Sequence, residues 1–372
     1  MKILIAPDKF KGSLSAQEVC EAIAQGLSQQ HSSVEVTTHP LADGGDGSLA
    51  VLTNHFHFEP IACATVDPLG REMVAQYLLS PTAGAFIEVA AASGMVLLQP
   101  EERNPLNTTT YGTGLLVADA LARGARHINL LLGGSATNDG GTGILHALGY
   151  RFLNENGKEL SPSGEQLYQI SKIVVPESNV LSSASFTVLC DVSNPFFGID
   201  GAAHVFARQK GANKAMIRQL DDGLKNFSNI IATTTGKEIA MLPGAGAAGG
   251  IAGGLVGLLD AKIMSGTEHI FSLTDFEALV QTHDLIITGE GSLDTQSLQG
   301  KVVDGVAKLA KKHQKTFFVL CGVNKLSAAE MEELGAAKYQ DIMSLALSEQ
   351  SAMTNAKVYL KSLAGQLMEG IN

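Results

Sequence analysis

MKILIAPDKFKGSLSAQE, residues 1–18, runs an apolar stretch, Ile3-Leu4-Ile5-Ala6, into a proline and then into Asp8, Lys9, Lys11, Gly12 and two serines. The apolar stretch is too short for a secretory leader, and no small-residue cleavage site follows a long apolar region. It reads instead as a buried strand, Lys2–Ala6, that enters a helix through a charged turn. Ser15-Ala16-Gln17-Glu18 is a capping box, and Val19, Ala22, Ile23 and Leu27 follow at helical spacing. Val34-Glu35-Val36-Thr37 gives a second strand, HPLADGGDGS (39–48) a loop, and a short helix starts near Ser48. This strand–helix–strand–helix order predicts a parallel α/β sheet, with working residues in the loops at the carboxyl ends of its strands.

Near residue 60 the rhythm changes. Ile61–Val66, Met73–Leu79 and Ala85–Val89 are β-rich, and the short connections DPLGRE (67–72) and SPTAG (80–84) predict antiparallel hairpins. Helical and strand–loop–helix patterns return at 112–125 and 127–150. The segments 283–313 and 316–334 then repeat the opening style of strand, polar loop and helix. At 372 residues the chain exceeds what one core usually holds. The expectation is therefore two domains: a discontinuous one from 1–60 plus 283–372, and an inserted one from 61–282.

Twenty-six Lys and Arg against 37 Asp and Glu give a net charge of −11, which argues against a nucleic-acid partner but leaves room for a small acidic substrate. Cys20, Cys63, Cys190 and Cys321 form no CxxC pair and no zinc spacing, as expected for a reducing, cytoplasmic setting. Ile239–Leu259 carries no charge, and Gly246, Gly250 and Gly254 repeat every four residues. With Pro243 near its start and no positive-inside bias, it reads as a loop running into a close-packed helix, not a membrane span. The same stretch matches GxGxxG at Gly244, Gly246 and Gly249, but only a weak strand precedes it.

Five loops share one style. PDKFKGS (7–13), ADGGDGS (42–48), GGSATNDGG (133–141), CDVSNP (190–195) and TGEGSLDTQSLQGK (288–301) each combine Gly or Pro with acids, hydroxyls or amides at the end of an apolar strand. Glycine lets backbone N–H groups approach a phosphate, and the following helix presents its positive end. Taken singly, each such loop reads equally well as a tight turn, and each acid as an Asx turn or helix cap. Asp43, Asp46, Asp139, Asp191, Glu290 and Asp294 are the candidate carboxylates, and Asp191, directly after Val188-Leu189-Cys190, is the hardest to read as solvated surface. Lys9, Lys11, Lys210 and Lys301 lie in or beside these loops, and Arg71 follows the DPLG turn, where a guanidinium can take a carboxylate in two bonds. No P-loop and no protein-kinase motif set is present.

In combination and in order, APDKFKGSLSA, LADGGDGS, LGGSATNDGG, CDVSNP, QKGA, PGAGAAGG and TGEGSLDTQSLQGK resemble the bacterial glycerate kinases of glyoxylate and galactarate catabolism. The resemblance implies ATP-dependent phosphorylation of D-glycerate with Mg²⁺, giving 2-phosphoglycerate. It implies a restriction-endonuclease-like α/β domain built from both chain ends, an inserted flavodoxin-like α/β domain, and an active site in the cleft. The resemblance places the loops; on them the chemistry of phosphoryl transfer suggests catalytic roles for Asp191, Lys9 and Asp43, with Asp43 and Asp46 as the alternative to Asp191 for base or metal ligand, and glycerate binding by Lys11, Arg71, Ser135, Asn138 and Lys210. Gly133, Gly134, Gly289, Glu290, Gly291 and Lys301 fall to the nucleotide, and Asp46 and Asp191 to Mg²⁺. ARQKGA (207–212) departs from the expected GPQKGA and takes Arg208 out of the set.

The resemblance leaves open which loop meets ATP. 3-Phosphoglycerate as product and another small hydroxy acid as substrate stay as alternatives. A nicotinamide-dependent oxidoreductase and a non-catalytic glycerate sensor are the remote ones. The expected partners are a small-molecule substrate and, among the open oligomeric states, a homodimer; no membrane is expected.

Overall fold

The computed structural model describes residues 1–30, 34–44, 48–177, 179–298 and 300–367. The chain divides into two units, one of residues 1–55 and 265–372, the other of residues 56–264. The first boundary falls five residues before the expected one. The second falls eighteen before it, because helices Gly266–Leu273 and Phe276–Thr282 pack within the first unit. Phe276 stacks on His39 with ring centroids 5.4 Å apart, and Gly266 meets the backbone of Gly44. Nothing in the amphipathic pattern of 265–282 announces which unit it joins.

The first unit holds five strands in the spatial order Lys338–Asp341, Thr316–Asn324, Leu285–Leu293, Lys2–Ile5 and Glu35–Thr38. All four pairings are parallel, in registers such as Ile3 opposite Leu285 and Ile5 opposite Thr38. Ile3, Leu4 and Ile5 are all fully buried, so successive side chains on opposite faces both find core. Helices Ala16–Gln30 and Ala356–Leu367 pack together over a core that includes Ile3, Ile5, Leu285 and Phe318, and Val302–Lys312 packs against the two central strands.

Counted along the chain within this unit, the strand order is 2-1-3-4-5, which is the flavodoxin-like order. The expectation had assigned that architecture to the inserted unit and a restriction-endonuclease-like one to the chain ends. The assignment is corrected here, since both units alternate strand and helix locally and only the long-range pairing of strands tells them apart.

The second unit has a six-stranded mixed sheet, Lys262–Met264, Ser185–Leu189, His127–Leu131, Gly84–Glu88, Glu72–Ser80 and Glu59–Val66. The first four strands are parallel; the last two are the hairpin strands expected from the turn signals. A separate two-stranded ribbon pairs Arg151–Leu153 with Lys172–Val174.

The uncharged stretch near 250 becomes the helix Ala247–Leu259, with Ala248, Gly249 and Gly250 in left-handed backbone at its start. A Cβ on Gly249 would stand 2.1 Å from the Thr137 carbonyl, and one on Gly254 1.9 Å from that of Gly140. The glycine spacing therefore serves close packing against the loop 133–141. Gly246 is pressed in the same way on the Pro195 carbonyl, so this GxGxxG leaves no backbone surface for a dinucleotide pyrophosphate. Among the described residues no helix is long and apolar enough to cross a membrane.

Candidate functional site

In the first unit the chain leaves strand Lys2–Ile5 toward one side of the sheet and later returns on the other, at Leu285–Leu293. The carboxyl ends of these two strands make a topological switch point, the place where open α/β sheets bind ligands. Asp8 N–H donates to the Gly289 carbonyl at 2.9 Å, Ala6 N–H to Ile287 at 2.8 Å, and Leu41 N–H to Pro7 at 2.9 Å. These bonds bring loops 7–13 and 40–44 to residues 289–291, which belong to the strand Leu285–Leu293 and not, as expected from sequence, to a loop starting at 288. A Cβ on Gly289 would lie 1.7 Å from the Leu320 carbonyl, so only glycine fits between the strands there. One on Gly291 would lie 3.1 Å from the Lys11 nitrogen.

Two of the acids at this edge, Asp8 and Glu290, are buried. Asp8 is 7 % exposed and accepts a hydrogen bond from the Lys9 N–H at 2.6 Å. Burial, and then the Asp43 carboxylate, push its acid up to about 7. Glu290 is also raised, chiefly by burial, with Ser297 and Lys301 opposing. Its Oε1 is buried without a hydrogen-bond partner among the described residues, as are Ser292 Oγ and Thr267 Oγ1. Lys9 Nζ stands 3.9 Å from Asp43 Oδ1. Lys301 is the N-cap residue of helix Val302–Lys312. Of the residues singled out from sequence, Lys9, Lys11, Asp43, Gly289, Glu290, Gly291 and Lys301 therefore belong to this edge. Asp46 lies outside the described residues. Asp8 sits deepest in the cluster and had been given no role; its signal was its place directly after the strand-ending Pro7.

In the second unit the loop 133–141 leaves the strand His127–Leu131 beside the end of Ser185–Leu189, where the half-buried Asp191 follows. Asp139 is fully buried. Its carboxylate accepts from Thr110 N–H and Oγ1–H, both at 2.8 Å, from Gly141 N–H at 3.1 Å and from Gly143 N–H at 3.2 Å. Burial raises its acid while the four donors pull the other way. Lys210 does not face solvent as a phosphate-gathering lysine would. It is buried, and it donates to Ser135 Oγ at 2.9 Å and to the Thr137 carbonyl at 2.6 Å. Burial pulls its ammonium down to about 7, with Asp139 opposing. Asn138 is fully buried, and neither its Oδ1 nor its Nδ2 has a partner among the described residues. Gly134 turns the loop with a φ of 73°.

Arg71 is spoken for. Its Nε pairs with Asp67 and its Nη1 with Glu102 Oε1 at 2.6 Å, while Asp67 also accepts from the Leu69 and Arg71 N–H groups at 2.9 Å. Two carboxylates compensate one guanidinium, so the residue clamps its own turn. Arg103, which no motif announces, has a buried Nε without a partner among the described residues, and its carbonyl is 2.0 Å from where a Cβ on Gly211 would be.

Fold and donor set together describe an α/β enzyme with one acid-rich and one donor-rich loop cluster. Residues 3–372 match the model of the glycerate kinase family. A glycerate kinase of Halalkalibacterium halodurans is 43 % identical over 322 residues, covering 86 % of this chain and 85 % of the relative. A glycerate 2-kinase of Escherichia coli is 40 % identical over 324 residues, with 87 % and 85 % covered. The crystal structure of a Salmonella typhimurium protein assigned as glycerate kinase 2 superposes with a TM-score of 0.86 at 37 % identity, covering 100 % of this chain and 99 % of that one. The chain belongs to the glycerate kinase family and is a kinase.

Proposed function

We propose that this chain transfers the γ-phosphoryl group of ATP to the 2-hydroxyl of D-glycerate, giving 2-phosphoglycerate and ADP in the cytoplasm. The observation that carries the reading is similarity to a glycerate 2-kinase at 40 % identity with matching length on both sides. An acidic protein with local basic and donor-rich loops suits an anionic substrate.

Mg²⁺ fits the acid-rich edge of the first unit. Glu290 Oε1 is buried without a partner among the described residues, and Asp8 is held near neutral partly by Asp43. A cation relieves both conditions. Among the described residues no three His, Cys, Asp or Glu side chains form a ready metal cage. Mg²⁺ does not ask for one, since it commonly takes one or two carboxylates and completes its shell with phosphate oxygens and water. One or two of Asp8, Asp43 and Glu290 would hold it; Asp46, expected from sequence, lies outside the described residues, and Asp191 belongs to the second unit. When bound, the ion neutralises charge on the transferring phosphoryl group. Lys9, Lys11 and Lys301 add positive charge at the same edge, with the N–H groups of Gly289 and Gly291 beside them.

The second unit offers the loop 133–138 for the acid substrate. Asp191, at the end of the neighbouring strand, is the residue we assign to accept the hydroxyl proton. Arg71 is left out of the glycerate set because its charge is already compensated. The test is ³¹P NMR of the purified protein with Mg²⁺, ATP and D-glycerate. A new ester signal matching 2-phosphoglycerate is the expected result. A 3-phosphoglycerate signal overturns the regiochemistry, and unconsumed ATP overturns the assigned substrate.

A further inference from the structure

In its charged form the Lys210 ammonium has three protons and no lone pair, so in that form it can only donate. Two of the protons on Lys210 go to Ser135 Oγ at 2.9 Å and to the Thr137 carbonyl at 2.6 Å. Ser135 Oγ is therefore an acceptor toward Lys210, and its own proton must point elsewhere. No described residue accepts that proton. The residue is not free to swing away, because its loop is pinned on the other side. Ala136 N–H donates to the Ser93 carbonyl at 2.8 Å, Met95 N–H to Gly134 at 2.9 Å, and Gly94 and Ser135 form a bridge.

Three residues on, Asn138 is fully buried with both ends of its amide unpartnered among the described residues. Buried polar atoms without partners are rare in folded proteins. The one carboxylate of the loop, Asp139, is already taken by Thr110, Gly141 and Gly143. What the loop has left to offer is the Asn138 amide and the Ser135 hydroxyl proton, and of these the buried lysine orients the hydroxyl.

We propose that Lys210 is a positioning residue that fixes Ser135 as a hydrogen-bond donor to a substrate oxyanion, a carboxylate or phosphoryl oxygen, on the loop 133–138. The proposal rests on the phosphoryl-transfer reading and adds the chemistry of one subsite. It also changes the part given to Lys210, which acts through the serine and does not touch the anion.

The test is a double-mutant cycle of Ser135→Ala and Lys210→Met in the full chain, reading kcat and the two KM values separately. Ser135→Ala is expected to raise one KM roughly tenfold or more with kcat little changed, since a donor to a charged group is lost from binding. A rise in the D-glycerate KM assigns the carboxylate, and a rise in the ATP KM assigns a phosphoryl group. Lys210→Met is expected to raise the same KM, and to add less than about twofold in the Ser135→Ala background. Independent, multiplying effects overturn the proposal, as does an unchanged KM in Ser135→Ala. If circular dichroism shows Lys210→Met unfolded, Lys210→Gln, which still donates to Thr137, replaces it in the cycle. If the wild type makes no phosphoester, the kinase reading falls separately. Calorimetric titration of D-glycerate and of inorganic phosphate into wild type and Ser135→Ala then decides: weaker binding in the variant sustains the subsite, and equal or absent binding overturns it.

Discussion

Two loops in this molecule look alike on paper, each an apolar strand running into glycine and an acid. In the second unit Asp139 is buried under four donors. In the first unit Glu290 is almost as buried, yet among the described residues one of its oxygens has no partner and Asp8 beside it receives a single N–H. Burial alone therefore does not separate a structural acid from a functional one. The donor count does. A carboxylate surrounded by donors is a keystone of its loop, while one left short of donors and beside other carboxylates is where the proposed function puts a cation.

The sharpest way to break this contrast is to remove each acid and measure stability apart from activity. Asp139→Ala strips four hydrogen bonds and leaves Lys210 buried without its neighbouring charge. We expect a loss of about 3–5 kcal/mol and a fall in Tm of about 10 °C, measured by thermal unfolding. A variant that melts with the wild type would remove Asp139 from its structural role. Glu290→Gln should do the reverse. Its Tm stays level or rises, while turnover in a coupled ATP assay drops by roughly a hundredfold or more. Retained turnover would show that the acid-rich edge does not serve the transfer.

Asp8 gives a pH test with a definite sign. Its acid is raised from 3.8 to about 7 in the folded chain, so between these values the native state binds more protons than the unfolded one. Its contribution is most favourable below about pH 4 and is lost as pH rises toward 7. Asp8→Asn should therefore be more stable than wild type without Mg²⁺, by on the order of 1–3 kcal/mol at pH 8, the gap opening between pH 4 and 7 and then staying flat. Urea unfolding of both proteins across that range measures it, and parallel curves would contradict the burial of an ionisable Asp8. The smallest effect belongs to Arg71. As an exposed clamp, Arg71→Ala should change the D-glycerate KM by no more than about fivefold. A larger rise would return Arg71 to the substrate site.

Much of the site was legible because its loops are local. Lys9, Lys11, Asp43 and Lys301 lie in segments where a strand pattern stops and a polar, glycine-bearing turn begins, whereas Gly289, Glu290 and Gly291, expected in such a loop, remain in the strand Leu285–Leu293. The partners of Lys210 and Arg71 were hidden for a common reason. A cation in a glycine-containing loop looks available until its partners are known, and those partners are 75 residues away for Lys210 and 31 away for one of the two carboxylates on Arg71.

The sequence by itself determined the α/β class, the buried first strand, the hairpins after residue 60, the glycine-and-acid loops and the family. These follow from patterns a few residues long, where periodicity, turn chemistry and strand-ending prolines act locally. Only the tertiary structure decided that the sheet of the two chain ends has the order 2-1-3-4-5, that 265–282 belongs with it, that the glycine stripe near 250 packs on loop 133–141, and which acids are satisfied. Each depends on contacts between residues far apart in the chain, and the hydrogen-bond partner that settles a buried charge leaves no mark on its neighbours in sequence.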